Sequence, residues 1–200
     1  MKLLTAPPSP YARKIRVLLR ETGMIDRVEE VEVITSPVAS TADALSGNPM
    51  GKIPSLLRDD GPSIYDSRVI SRYLDDIGNA GLYPKRSLYE ILTLEATADG
   101  IMDAAVGMVY ETRLRPENQQ SPEWLDAQWG KAERAISTIN SRWLSHLNGP
   151  LNAAQIATSC ALAYLDLRHS ARNWRIGNES LAAWQAEFET RPSMLATAPE

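Results

Sequence analysis

The chain has 200 residues, 44% hydrophobic and 23% charged, with Lys+Arg 21 against Asp+Glu 25 for a formal net charge of −4. A chain of this length and balance withdraws roughly 70% of its unfolded surface from water, enough for one sizeable core or two small ones, which excludes wholesale disorder, collagen-like repeats and coiled-coil fibres. The mild acidity excludes the broad positive field of a non-specific nucleic-acid binder, and the single cysteine, Cys160, excludes an intramolecular disulfide and a cysteine-built zinc cage.

The elements follow in chain order. Leu3-Leu4-Thr5 predicts a first strand, ended by Ala6-Pro7-Pro8. Ser9-Pro10 has the grammar of a helix start, Ser at the N-cap and Pro at the first helical position. Tyr11, Ile15, Leu18 and Leu19 then fall on one apolar stripe that ends at Gly23. Val28 to Ile34 predicts a second strand, and the small polar segment Ser36 to Ser46 leaves room for one short helix. Ile53 to Leu57 and Ser63 to Tyr65 flank Asp59-Asp60-Gly61, a hairpin signal that predicts two adjacent strands. From Ser67, the residues Val69, Ile70, Tyr73, Leu74 and Ile77 mark an amphipathic helix closed at Gly78. The order is β-α-β-α-β-β-α.

Residues 79–87 are expected to be a linker, and 88–200 a helical domain without strands. Its helices are predicted at Leu88 to about Arg113, Pro122 to Leu147, Asn152 to about Arg168, and Leu181 to Phe188. Asn152 with Gln155 forms a capping box, and Leu151 with Ile156 a hydrophobic staple. Cys160 lies inside this helix and reads as a small apolar side chain. The tail Ala196–Glu200 is expected to be loose. Pro7 and Pro8 interrupt the start before any long apolar run, so no signal peptide and no membrane segment are expected, and a reduced cytoplasmic setting fits the cysteine usage.

A β-α-β-α-β-β-α module followed by a helical half resembles the soluble glutathione S-transferases, which implies a thioredoxin-like N-terminal domain at 1–78 and an all-α C-terminal domain at 88–200. Three motifs carry the resemblance. SPYARK at 9–14 is similar to the serine- or cysteine-containing first-helix start of the bacterial, zeta-like and omega-like branches, NPMGKIP at 48–54 to the family's N-P-x-G-K-[IV]-P segment, and YDS at 65–67 to its acidic-residue-plus-serine step. Ala98 to Ala104 resembles the start of its substrate-lining helix. The order and spacing of these motifs, more than any one of them, is specific.

The resemblance implies a homodimer that conjugates reduced glutathione to a small electrophile, in a detoxifying role, with glutathione as co-substrate and no cofactor, metal, nucleic acid or membrane partner. It assigns the γ-glutamyl ammonium to Asp66 and the γ-glutamyl carboxylate to Ser67 and the free N–H groups of its helix. The cysteinyl backbone falls to Ile53 beside a cis Pro54, and the glycine carboxylate to Lys52. Ser9 is the hydroxyl assigned to the thiolate. A thiol with pKa about 8.5 is only about 3% ionised at pH 7. Lowering it by about two units takes about 2.7 kcal/mol, within reach of one charge-assisted hydrogen bond and a helix-dipole contribution. A Brønsted slope of about 0.4–0.5 returns most of that gain, so positioning of the second substrate supplies the rest.

Each residue also has a plainer role. Ser9 caps a helix, Asp66 and Ser67 cap another, Lys52 is a loop lysine in water, and Tyr11, the runner-up hydroxyl for the thiolate, packs on its helix face. On the long helix Asp99 and Asp103, at i and i+4, are either a contact to the γ-glutamyl group or a solvated face, and Tyr110 is a candidate for the electrophile pocket. Two other functional classes share the fold: a non-catalytic protein-binding module, and a glutathione-dependent peroxidase or isomerase on the same site.

Overall fold

The computed structural model describes residues 1–199, which divide into two compact units: Met1–Arg86 with residues 191–199, and Ser87–Thr190. The first unit opens with β1 (Lys2–Thr5), α1 (Pro10–Glu21), β2 (Glu29–Glu32), α2 (Ala42–Gly47), β3 (Ser55–Leu57) and α3 (Ser67–Gly78). Its sheet has the order β2-β1-β3, with β1 parallel to β2 and antiparallel to β3. The parallel pair needs a crossover, and α1 provides it. Leu3, Ile15, Leu18, Leu19, Leu56, Ile70 and Leu74 are fully or nearly fully buried and join the sheet to α1 and α3.

β2 and β3 are shorter than their apolar runs, whereas β1 ends at Thr5 as expected and gains Lys2 at its start. Thr5 is the last residue of β1, because Pro7 and Pro8 have no N–H to continue a ladder, and β2 ends with its partner at Glu32. The expected fourth strand, Ser63 to Tyr65, is a single bridge: Leu56 and Ile64 exchange N–H···O bonds of 2.9 and 3.0 Å. Pro62 cannot donate before it, and Asp66 already caps α3 after it. The segment 79–87, expected as a linker, belongs to the first unit through Arg86. Leu82 is buried, its N–H donates to Asp75 Oδ1 at 2.7 Å, and the Arg72 guanidinium lies 4.5 Å from the Tyr83 ring centroid.

The second unit contains α4 (Leu88–Leu114), α5 (Pro122–Arg142), α6 (Leu144–Leu147), α7 (Ala153–His169) and α8 (Glu179–Phe188). The helix expected from Pro122 to Leu147 is interrupted at Trp143, and nothing in the local sequence explains the break. α4 packs against α5 and α7, and every residue of α7 from Ala153 to Leu165 is buried. The capping box is present in both directions. Asn152 Oδ1 accepts from the N–H of Ala154 and Gln155 at 3.0 and 3.3 Å, while Gln155 Oε1 accepts from Asn152 N–H at 2.8 Å. Cys160 is 1% exposed, as its packing role requires.

The chain then closes with α9 (Pro192–Leu195), a helix the apolar pattern does not announce. Residues 191 onward belong to the first unit and not to the helical domain expected over 88–200. Nε and Nη2 of Arg191 donate to Glu21, at 2.8 and 2.7 Å, Ser193 Oγ donates to the same carboxylate, and Arg13 donates to the Met194 carbonyl at 3.1 Å. Thr197 is 1% exposed, which corrects the expectation of a loose tail; for Glu200 that expectation lies outside the described residues. Among the described residues no helix is long and apolar enough to cross a membrane.

Candidate functional site

The strand register places three of the expected segments at one end of the small sheet. Leu4 faces Ser55 across β1–β3, so the next residues outward, Thr5 and Pro54, are neighbours. Leu56 faces Ile64, so two residues outward Pro54 is beside Asp66. With adjacent chains about 4.8 Å apart, Thr5, Pro54 and Asp66 span roughly 10 Å. Both α1 and α3 begin at this end, so two helix N-termini with their partial positive charge also lie there.

Ser9 is held from both sides. Its N–H donates to the Ala6 carbonyl at 3.0 Å, its carbonyl accepts from Arg13 N–H at 2.9 Å, and its hydroxyl oxygen accepts from Ala12 N–H at 3.2 Å. The cap consumes a lone pair of Oγ. A hydroxyl has one proton and two lone pairs, so the O–H remains available to donate. The capping and thiolate-binding roles of Ser9 are therefore compatible.

The loop 48–54 is built by its own side chains. Asn48 is buried; its Oδ1 accepts from Met50 N–H at 2.9 Å and its Nδ2 donates to the Lys52 carbonyl at 3.2 Å. Ser55 Oγ donates to that same carbonyl at 3.1 Å, and Thr35 Oγ1 donates to the Gly51 carbonyl at 2.7 Å. Gly51 has φ +61°, and a Cβ there would lie 2.1 Å from Ser40 Oγ, so glycine is required twice over. This scaffold fixes the Lys52 backbone while its side chain stays exposed. The next peptide, Ile53–Pro54, is cis, as is Tyr65–Asp66. Among the described residues nothing pairs with the Ile53 N–H or C=O, which leaves both for an extended ligand.

Asp66 caps α3 with Oδ1 accepting from Arg68 N–H at 3.0 Å, while Oδ2 accepts from the Arg68 guanidinium at 2.9 Å. Burial pushes the carboxyl up, but the Arg68 hydrogen bond and charge, together with backbone N–H groups of Arg68 and Val69, outweigh it and hold it below the ordinary range. Asp66 is thus a carboxylate at neutral pH, exposed enough to accept a further cation. Ser67 is 3% exposed and begins α3 beside it, adding a hydroxyl and a backbone N–H. Arg68 is the residue of this end that motif spacing does not single out. Its signal is an arginine two positions after a capping aspartate.

The remaining candidates lie on α4 in the second unit. Asp99 is buried at 5% exposure, so a fully solvated acidic face does not describe it, whereas Asp103 is exposed. Tyr110 is 43% exposed; burial raises its hydroxyl above the ordinary value, and it lies within electrostatic reach of Tyr164. The second unit also holds a cavity of about 350 Å³ between α4, α5 and α7, which the apolar pattern of these helices does not foretell.

Comparison with known proteins gives a consistent result. Residues 8–77 match the glutathione S-transferase N-terminal domain and residues 122–186 the glutathione S-transferase C-terminal domain. The chain is 31% identical to the GST-like protein YibF of Escherichia coli K12, over 100% of this chain and 98% of that one. A glutathione transferase family member from Pseudomonas fluorescens Pf-5, crystallised with bound glutathione, superposes with a TM-score of 0.96 at 45% identity, covering 100% of this chain and 98% of that chain. A Methylobacillus flagellatus KT glutathione S-transferase, also with glutathione bound, gives a TM-score of 0.86 at 36% identity over 100% and 99% of the two chains.

Proposed function

Given that the chain belongs to the glutathione S-transferase family, we propose that it binds glutathione on its first unit and adds the thiolate to a small electrophile. The observation that carries this is the convergence of Ser9, Ile53–Pro54 and Asp66–Ser67 at one end of the sheet, beside two helix N-termini. The bound glutathione in the Pseudomonas and Methylobacillus neighbours supports it.

The chemistry follows from the groups on hand. The Ile53 N–H and C=O take the cysteinyl backbone as an added strand, Ser67 takes the γ-glutamyl carboxylate with its N–H and hydroxyl, and Asp66 takes the ammonium. Lys52 meets the glycine carboxylate. Ser9 turns its remaining proton toward the sulfur, which stabilises the charged form more than the thiol and lowers the thiol pKa. The thiol proton leaves to solvent, the sulfur lone pair forms the new C–S bond, and the electrons displaced from the electrophile leave with a halide or are protonated by water. Cys160 takes no part, being buried in α7. A homodimer in a cytoplasmic setting completes the proposal, with detoxification as the physiological role.

Calorimetric titration with reduced glutathione tests the reading. Binding at micromolar to millimolar ligand is expected, with Asp66→Asn weakening it about tenfold through loss of one charge-assisted contact. Absence of heat at millimolar glutathione would instead favour a binding module that has lost its ligand.

A further inference from the structure

The cavity between α4, α5 and α7 is lined by side chains of two kinds. Met108 and Val109 of α4, Leu125 of α5 and Leu167 of α7 supply apolar wall. The rest of the lining is mainly cationic: Arg113 projects from α4, Arg168 from α7, and Arg172 from the turn that follows. At about 350 Å³ the space matches a small organic molecule.

The three arginines are not equivalent. Arg172 is neutralised, donating to Asp126 Oδ1 at 3.0 Å with its guanidinium 5.3 Å from the Trp129 ring centroid. Arg113 and Arg168 have no carboxylate partner among the described residues. Both lie within electrostatic reach of the buried Tyr164 hydroxyl. His169 is biased toward its neutral form. Burial, with Arg172 and Arg168 nearby, holds its imidazole below the ordinary value, and Nε2 lies 3.0 Å from the Ala105 carbonyl, to which it donates. A chain with net charge −4 therefore keeps two guanidinium groups without a carboxylate partner among the described residues in the lining of one cavity. Two like charges repel, and an anion between them converts that repulsion into two attractive contacts.

We propose that this cavity binds a small organic carboxylate, its anionic head held by Arg113 and Arg168 and its apolar body lying against Met108, Val109, Leu125 and Leu167. The site lies wholly within the second unit and does not depend on the glutathione reading. A carboxylate fits better than inorganic phosphate, because guanidinium forks match its two oxygens while the apolar wall offers nothing to a small, fully hydrated ion.

The probe is 3-phenylpropanoate, compared with its neutral amide by calorimetry on the full chain. The acid is expected to bind at least tenfold more tightly than the amide and to weaken with added salt. Arg113→Gln and Arg168→Gln are each expected to lower acid affinity about tenfold with the amide unchanged, whereas Arg172→Gln, whose arginine is already paired, changes it less than about twofold. Circular dichroism and thermal melting of each variant establish that it is folded. Equal binding of acid and amide by the wild-type chain, no binding of the acid, or wild-type acid affinity in the folded Arg113→Gln/Arg168→Gln double variant would overturn the proposal.

Discussion

At the residue scale the account turns on hydroxyl and carboxylate bookkeeping. Ser9 accepts from Ala12 N–H and retains its proton, so two functions attributed to one side chain can be separated by substitution. Alanine removes both the cap and the donor, and is expected to cost about 1 kcal/mol of stability. Aspartate keeps a capping oxygen but has no proton to give at neutral pH, and it places a negative charge beside the sulfur. Ser9→Asp is therefore expected to melt near the wild-type temperature while losing conjugation activity, whereas Ser9→Ala melts lower. If Ser9→Asp retained full activity, the hydroxyl would be only a cap. The local structure at Ser9, Ile53–Pro54 and Asp66–Ser67, two helix caps and a cis peptide, was legible in the sequence because each stands in a short motif whose backbone role is local. Arg113 and Arg168 were not. They lie on different helices and meet only through the packing of α4 on α7.

At the scale of elements, the sequence overstates strands and misses the last helix for related reasons. Apolar pattern reports which residues can be buried, whereas a ladder stops where its partner stops. Prolines at 7, 8 and 62 set those limits more firmly than the β-branched runs beside them. The capping box of α7 was legible because both of its partners lie within four residues. α9 has too few residues for a periodic signal, and its anchorage is to Glu21, 170 residues earlier in the chain. That anchorage is titratable. The Arg191 hydrogen bond holds the Glu21 carboxyl below its ordinary value, with Ser193 and the Arg191 charge assisting against burial. Since the folded value is depressed, the contribution is fully present above the unfolded carboxyl value of about 4.3 and is lost as pH falls through the folded one. Glu21→Gln is expected to lose about 2 kcal/mol at pH 7 and to flatten the acid limb of the stability curve. An acid limb identical to wild type, measured by urea unfolding between neutral pH and pH 3, would show that the tail contact contributes nothing.

At the scale of the whole molecule, the apolar period changes near residue 80 whereas the two units divide after Arg86, and the return of the C-terminal residues to the first unit has no signal in the sequence. The glutathione-transferase reading assigns a homodimer, and light scattering at micromolar concentration is expected to give twice the chain mass; a monomer at that concentration would contradict it. On the proposed function, the net charge of −4 leaves attraction for an anionic tripeptide to local groups: the N-termini of α1 and α3, Ser67 and Lys52. The central claim is that this end of the first unit holds glutathione as its thiolate with Ser9 as donor. The ultraviolet absorbance of the thiolate, followed against pH with saturating glutathione on the wild-type chain and on Ser9→Ala, tests it most directly. The account predicts a wild-type midpoint about two units below the free-thiol value of about 8.5, returning toward that value in Ser9→Ala. A bound thiol that titrates at the free value in the wild-type chain, or at one and the same midpoint in both proteins, would contradict it.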